Sequence, residues 1–200
     1  MAGSGVRPDV SDRLSIRSLT VGTILCRTHR ADLNAIWFGP DRGNPPRYRF
    51  DAPDRSYQVC YLGLTERAVF VEGVVHRAIP RRIISEKTLA ARAISEIRVV
   101  EKIRAARLYG KYLIPTGATN AVTHGETYES VSQPWSKAIH QHPDTVDGIL
   151  YSAKHDETQI ALVLFDRAAH KIEAGAKHPL SGTDLRTLRL LEFYKLALAA

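Results

Sequence analysis

A single carboxylate interrupts the apolar run Ala68-Val69-Phe70-Val71-Glu72-Gly73-Val74-Val75. Burying a charge on such a face costs free energy unless a donor, a cation or a ligand meets it. Glu72 is therefore either a solvent-facing or salt-bridged glutamate or a functional acid. Two arginines stand where they could meet an anion. Arg27 closes the β-rich run 21–27, and Arg49 lies in Arg47-Tyr48-Arg49-Phe50-Asp51, a stretch dense in cations and aromatic rings. A guanidinium presents a planar fork of donors that suits carboxylate or phosphate oxygens, although each could equally be a surface arginine. Tyr61 sits in a second β-rich run, Ser152 follows Tyr151 at the end of a third, and His155 lies in the polar loop behind it. His140-Gln-His142 has metal-like spacing, but no acid or cysteine beside it completes a ligand set. A Gly-x-Ser-x-Gly elbow, which a Ser-His-Asp hydrolase of that fold would need, is absent from the chain.

The elements that must hold these residues follow from local pattern. Tyr57, Val59 and Tyr61 alternate with Gln58, Cys60 and Leu62 up to Gly63, which reads as a strand. Thr65 followed by Glu66 suits a helix N-terminus, and 68–75 continues that helix until Pro80 stops it. Upstream, 21–27 reads as a first strand that delivers Arg27 at its end, and 31–35 as one helical turn. The Gly-, Pro- and Asp-rich stretch 37–53 reads as a long loop, and loops of that length tend to be functional. Downstream, 86–95 reads as helix, 97–108 as strand and 117–125 as a polar connector. Pro134 sits at the tolerated first turn of a short helix through His140. Residues 146–152 read as a strand ending in a small polar loop, 153–156, and 159–165 as a buried strand. Leu185, Leu188, Leu191 and Leu198 recur at helical spacing behind Asp184, so 183–198 reads as a packing helix. The order is that of an α+β fold without strict βα alternation, and Gly3-Ser-Gly5 precedes any strand, so a Rossmann fingerprint is missing.

With 200 residues and 44% hydrophobic content, the chain can bury one core, here 21–200, behind a loose Gly-, Ser- and Pro-containing segment, 1–20. Its apolar windows fall short of the roughly 18 residues of a membrane span, and a signal-peptide core is missing, which points to a cytoplasmic protein without membrane contact. Cys26 and Cys60 both fall in strand-like segments and read as small buried hydrophobes rather than a disulfide or zinc site. The net charge of +7 favours polyanions such as nucleotides, nucleic acid or an acidic protein. The basic residues are scattered, and neither a helix-turn-helix nor an RNP pattern accompanies them.

Taken together, Arg27, Arg49, Tyr61, Glu72 and the Tyr151-Ser152 strand end resemble the RES domain, named for its Arg, Glu and Ser. The resemblance runs from about residue 25 to 167. It comprises Arg27, Arg49-Phe50-Asp51 in place of the family's Arg-Trp-Asn, Val59-Cys-Tyr61, and Glu72 after Ala-Val-Phe-Val. Asp147-Gly-Ile-Leu-Tyr151 leading to Leu164-Phe165-Asp166-Arg167 completes it. It implies an α+β fold similar to the diphtheria-toxin-like ADP-ribosyltransferases, with a mixed β-sheet core and flanking helices. It also implies a toxin of a toxin-antitoxin pair that consumes NAD as substrate, without a metal, by phosphorolysis, hydrolysis or ADP-ribosylation of a protein. An Xre-type helix-turn-helix antitoxin would neutralise it and supply any contact with nucleic acid, and homodimers are frequent among members.

The residues suit that chemistry. Breaking the nicotinamide–ribose bond leaves an oxocarbenium-like centre that a carboxylate, Glu72, would stabilise or whose hydroxyls it would fix. Arg27 and Arg49 would hold phosphate oxygens, Tyr61 would border the nicotinamide ribose, and His155 would touch substrate. At one position the chain departs from the family, whose pattern is Tyr, any residue, Ser, then Arg-His-Asp. Here Tyr151-Ser152-Ala153-Lys154-His155-Asp156 puts Ala153 in the serine's register. Ser152 replaces that hydroxyl only where the strand has ended or bulged, since neighbours on a strand face opposite ways. The alternative is a catalytically impaired relative that binds a nucleotide or a partner protein.

Overall fold

The computed structural model describes residues 8–199, apart from the side chain of Arg77. Eight strands form one sheet in the order β1-β6-β7-β8-β3-β2-β5-β9, where β1 is Ile16–Leu19, β2 Ile24–Arg30, β3 Val59–Gly63, β5 Arg92–Val99, β6 Ile103–Leu108, β7 Gly148–Ala153, β8 Asp156–Phe165 and β9 Ile172–Pro179. Only β6 and β7 run parallel within it. The crossover joining them carries α3, Gln133–His140, which begins with Pro134 in its first turn. The fold is α+β, a large mixed sheet flanked by helices.

The sheet is nearly two sheets. β2 pairs with β5 over seven residues from Ile24↔Arg98 to Arg30↔Arg92, and β3 pairs with β8 from Val59↔Phe165 to Gly63↔Ala161. Yet β2 and β3 meet at the single pair Cys26↔Gly63. Leu25, Ile97 and Val99 from one half share a buried cluster with Cys60, Leu62, Leu150, Leu162 and Leu164 from the other, and a 3-10 turn, Asp166–Lys171, adds only Ala168 to it among the described residues. The halves thus fold over and cover each other, leaving the opposite faces for helices.

Helix α1, Glu66–Phe70, starts at Thr65, whose hydroxyl accepts from the Ala68 amide at 3.1 Å. It continues as a π-helical turn, Val71–Val75, and a last turn, His76–Ala78. Two glycines let this rod lie directly on the sheet at the β2–β3 junction. A Cβ at Gly63 would stand 2.7 Å from a Val69 methyl, and one at Gly73 would stand 2.7 Å from the Thr28 methyl. The Thr28 hydroxyl then donates to the Val69 carbonyl at 2.8 Å. Cys26, Phe70, Val71, Val74, Leu89 and Leu190 form the core on this side, together with α2, Glu86–Ala90, and α4, Leu185–Phe193.

Several elements differ from the local reading. Residues 1–7 of the expected loose segment lie outside the described residues, but 16–19 pairs with β6 and buries Leu19, so it belongs to the sheet. The expected helix 86–95 stops at Ala90, because from Arg92 the chain pairs with both β2 and β9. The expected strand 97–108 is two strands. The packing helix expected over 183–198 ends at Phe193. Lys195 takes a left-handed φ of 51°, and the Leu196 amide closes back on the Leu191 carbonyl at 2.9 Å. Leu198 therefore lies in β10, Ala197–Ala199, which pairs with β4, Ile83–Ser85. The helix buries Leu190, Leu191 and Thr187 while Leu185 is exposed. Cys26 and Cys60 are free and buried.

Candidate active site

Glu72 lies on the π turn, partly buried, and its Oε1 accepts from the backbone amide of Lys154 at 2.9 Å. That amide belongs to the two-residue hairpin Lys154-His155 joining β7 to β8. The bond fixes the carboxylate's direction and leaves Oε2 without a protein donor among the described residues. π turns inserted into helices recur at functional sites, and here the turn carries the acid. Beside Glu72 stands Tyr151. Burial, then the Glu72 charge, push its phenol well above the ordinary range, while the Arg49 charge acts in the opposite sense.

Arg49 is only 8% exposed, and its Nη1 donates to the Gly125 carbonyl at 2.8 Å. Its guanidinium carbon lies 4.7 Å from the centre of the Tyr128 ring. Arg27 is 9% exposed, with Nη1 on the Ala35 carbonyl at 2.6 Å. These are the only buried arginines or lysines among the described residues, and neither forms an ion pair with a carboxylate there. A buried guanidinium without a counter-ion is costly unless an anion is meant to reach it.

The loop bearing Arg49 is locked from below. Asp51, fully buried, accepts from the amides of Arg47 and Tyr48, both at 2.8 Å. The Tyr61 hydroxyl donates to Asp51 at 3.2 Å and accepts from the Phe50 amide at 2.9 Å. Burial, partly offset by the two amides, raises the Asp51 carboxyl above its usual range. Helix α3 holds the same loop. Ser136 donates to the Phe50 carbonyl at 2.7 Å, and Gln133 to the Tyr48 carbonyl at 3.1 Å. Phe50 packs on Tyr151 with ring centres 4.9 Å apart. Arg49, Tyr61, Tyr151 and Glu72 are thus brought to one region by elements distant in sequence.

Arg27, Ser152 and His155 are placed differently. Arg27 lies inside β2 rather than at its end. Its neighbour Thr28 faces α1, so by alternation Arg27 points to the other side, next to Cys60, at the place where β2 and β3 part. β7 neither ends nor bulges at Ser152. It runs on through Ala153, and the irregularity falls on β8, where Glu157, Thr158 and Gln159 are skipped between Asp156 and Ile160. Ser152, opposite Ile160, therefore faces the side of Leu150 and Leu162, whereas Tyr151 and Ala153 face that of Glu72. The condition under which Ser152 would replace the missing hydroxyl is not met. His155 is exposed at the hairpin tip.

Residues 24–186 match the RES domain. The chain belongs to the RES domain family. No curated protein matches it. Among solved structures, this RES domain is similar to a chain in the crystal structure of the M. tuberculosis MbcT-MbcA toxin-antitoxin complex. The TM-score is 0.62 at 17% identity, covering 89% of this chain and 90% of that one. At that identity the likeness is one of fold.

Four residues around this candidate site, two of them part of the motifs that carry the resemblance, have no sequence signature of the contact they make. The Lys154 amide acts through its backbone, and Tyr128 follows what reads as a polar connector. Asp51 and Tyr151 look like ordinary loop and strand residues until the tertiary contacts form. The histidines of His140-Gln-His142 are used elsewhere. His140 stacks on Tyr57 at 4.0 Å, and His142 bonds the Ser11 carbonyl at 3.0 Å.

Proposed function

We propose that this RES-domain protein consumes NAD by cleaving the bond between nicotinamide and ribose, as the toxin of a toxin-antitoxin pair. The observation that carries the reading is Arg49. It is a buried guanidinium with no carboxylate partner among the described residues, held on the Tyr128 ring, and it acts on the same Tyr151 phenol as the oriented Glu72. Such an arrangement suits a ligand that brings its own negative charge at one end and develops positive charge at the other. Arg49 takes the phosphates, with Arg27 as a second cation where β2 and β3 part. Glu72, steered by the Lys154 amide, stabilises the oxocarbenium-like ribose or fixes its hydroxyls through Oε2. Tyr61 borders the ribose from the Arg49 side. The acceptor is water, phosphate or a protein side chain. The partner is an antitoxin of the Xre helix-turn-helix type, a reading supported by the toxin-antitoxin complex in which the similar fold occurs.

A second reading has its own observation. Ala153 is fully buried on the Tyr151 side, where the family's hydroxyl belongs, and Ser152 faces away. On that reading the protein keeps the fold and binds a nucleotide or partner with little turnover. NAD loss by purified protein, with and without phosphate, decides between them alongside Glu72→Ala and Ala153→Ser variants. Loss by the wild type that Glu72→Ala abolishes is the outcome expected for the enzyme, and phosphate dependence identifies phosphorolysis. Turnover only in Ala153→Ser identifies a disabled site. No turnover and no NAD binding in any variant refutes both.

A further inference from the structure

Lys154 joins two parts of the site. Its backbone amide holds Glu72, and its ammonium pairs with Glu126. Glu126 stands one residue past Gly125, whose carbonyl anchors Arg49, and two before Tyr128, on whose ring Arg49 rests. It also borders a surface recess of about 330 Å3 together with Pro46, Arg47, Tyr128, Glu129 and Gln133. The Lys154 ammonium holds the Glu126 carboxyl below its usual range, and Arg49 and His155 add to that field in the same sense. The Glu126 carboxylate thus sits among three basic side chains and is the only acid among the described residues that pairs with Lys154.

The two partners differ in exposure. The Glu126 side chain is 79% exposed and that of Lys154 29% exposed. An exposed ion pair is weak, and its carboxylate exchanges readily with another anion. Lys154 thus touches Glu72 through its amide and, through Glu126, the rim of the recess and the segment that anchors Arg49. Resting on the NAD reading, we infer that Lys154 is a further phosphate-binding residue, and that Glu126 occupies its ammonium as an intramolecular competitor until a phosphate-bearing ligand displaces it. The latch favours ligands that carry phosphate over neutral nucleosides, since only an anion repays the loss of the Glu126 pair.

The test uses ADP-ribose, which lacks the scissile bond, and adenosine, which lacks phosphate, titrated calorimetrically into the full chain. Wild type, Glu126→Gln and Lys154→Met are compared at two salt concentrations, with thermal melts to show that the variants are folded. Glu126→Gln is expected to bind ADP-ribose up to about fivefold more tightly, the scale of one exposed ion pair. Lys154→Met is expected to bind it about tenfold more weakly, with a shallower salt dependence. Adenosine affinity should stay unchanged in both. ADP-ribose binding by wild type that neither variant alters, or parallel shifts with adenosine, overturns the latch and leaves the NAD reading standing. No ADP-ribose binding by wild type or by Glu126→Gln overturns both.

Discussion

The Lys154 amide and the Glu72 carboxylate, 82 residues apart in sequence, meet at 2.9 Å. The bond ties the tip of a hairpin to the middle of a π turn, and it makes the direction of the carboxylate a property of the backbone rather than of a neighbouring side chain. A substitution at Lys154 therefore leaves Glu72 oriented, whereas a change in the hairpin's length would not.

Replacing Glu72 by Gln tests charge apart from shape. The amide oxygen can still accept from Lys154, so the melting temperature should change little. If the proposed NAD cleavage is this protein's activity, loss of the Glu72 charge should lower it by about a hundredfold or more, the scale of removing one electrostatic stabiliser. A colorimetric NAD assay beside a thermal melt checks this. Equal activity in the variant would remove Glu72 from the chemistry.

Arg49→Met should separate stability from binding. An unpaired buried cation contributes little to the fold, so an apolar side chain of similar reach should leave unfolding free energy within about 1 kcal/mol of wild type or raise it. Binding of a phosphate-bearing nucleotide should fall by about tenfold or more. Urea unfolding together with titration reads both, and a large loss of stability would mark Arg49 as structural.

Gly73→Ala reverses the ordinary effect of alanine in a helix. Alanine propensity alone would stabilise by about 1 kcal/mol. The new Cβ would stand 2.7 Å and 2.9 Å from the Thr28 methyl and Cβ, which forces the π turn off β2. Overpacking of that kind costs about 1–3 kcal/mol, so net destabilisation is expected, together with loss of activity as Glu72 shifts. Thr28→Ala, which removes the nearer methyl, should recover part of the stability in a double-mutant cycle.

His140 should make the fold acid-sensitive. Burial, then the charge of Arg167, push its pKa down from 6.5 to about 4. The unfolded chain takes up the proton first, so stability is full above pH 6.5 and falls as the pH drops from 6.5 towards 4. The ceiling is about 3 kcal/mol, reduced by the ring's partial exposure. His140→Phe, keeping the stack on Tyr57, should flatten that part of the pH profile of the urea midpoint. An unchanged slope would assign the acid sensitivity elsewhere.

Local pattern was enough for α1, α3, β3 and β8, because caps, first-turn proline and period-2 alternation involve residues a few positions apart. The Thr65 cap, Pro134 and the start of α4 at Asp184 all lie where those rules put them. Local pattern also singled out Glu72 as a charge in an apolar run, and Arg49 within a cation-rich loop. It missed β9, whose mostly exposed residues carry no apolar alternation, and the end of α4, where a lysine rather than a glycine takes the left-handed position.

What a side chain faces was decided by tertiary structure alone. Arg27 belongs to the family's pattern and Ser152 stands next to the family's serine position, yet strand register turns both to the side away from Glu72, while Ala153 faces it. The placement of Arg49 likewise depends on a segment far along the chain, Gly125 with Tyr128, whereas Arg27 is held by the nearby Ala35 carbonyl. Sequence determines periodicity and capping because those energies are local. It leaves open which cation is deprived of a counter-ion, because that follows from long-range pairing and from what the whole chain packs against each side of the sheet.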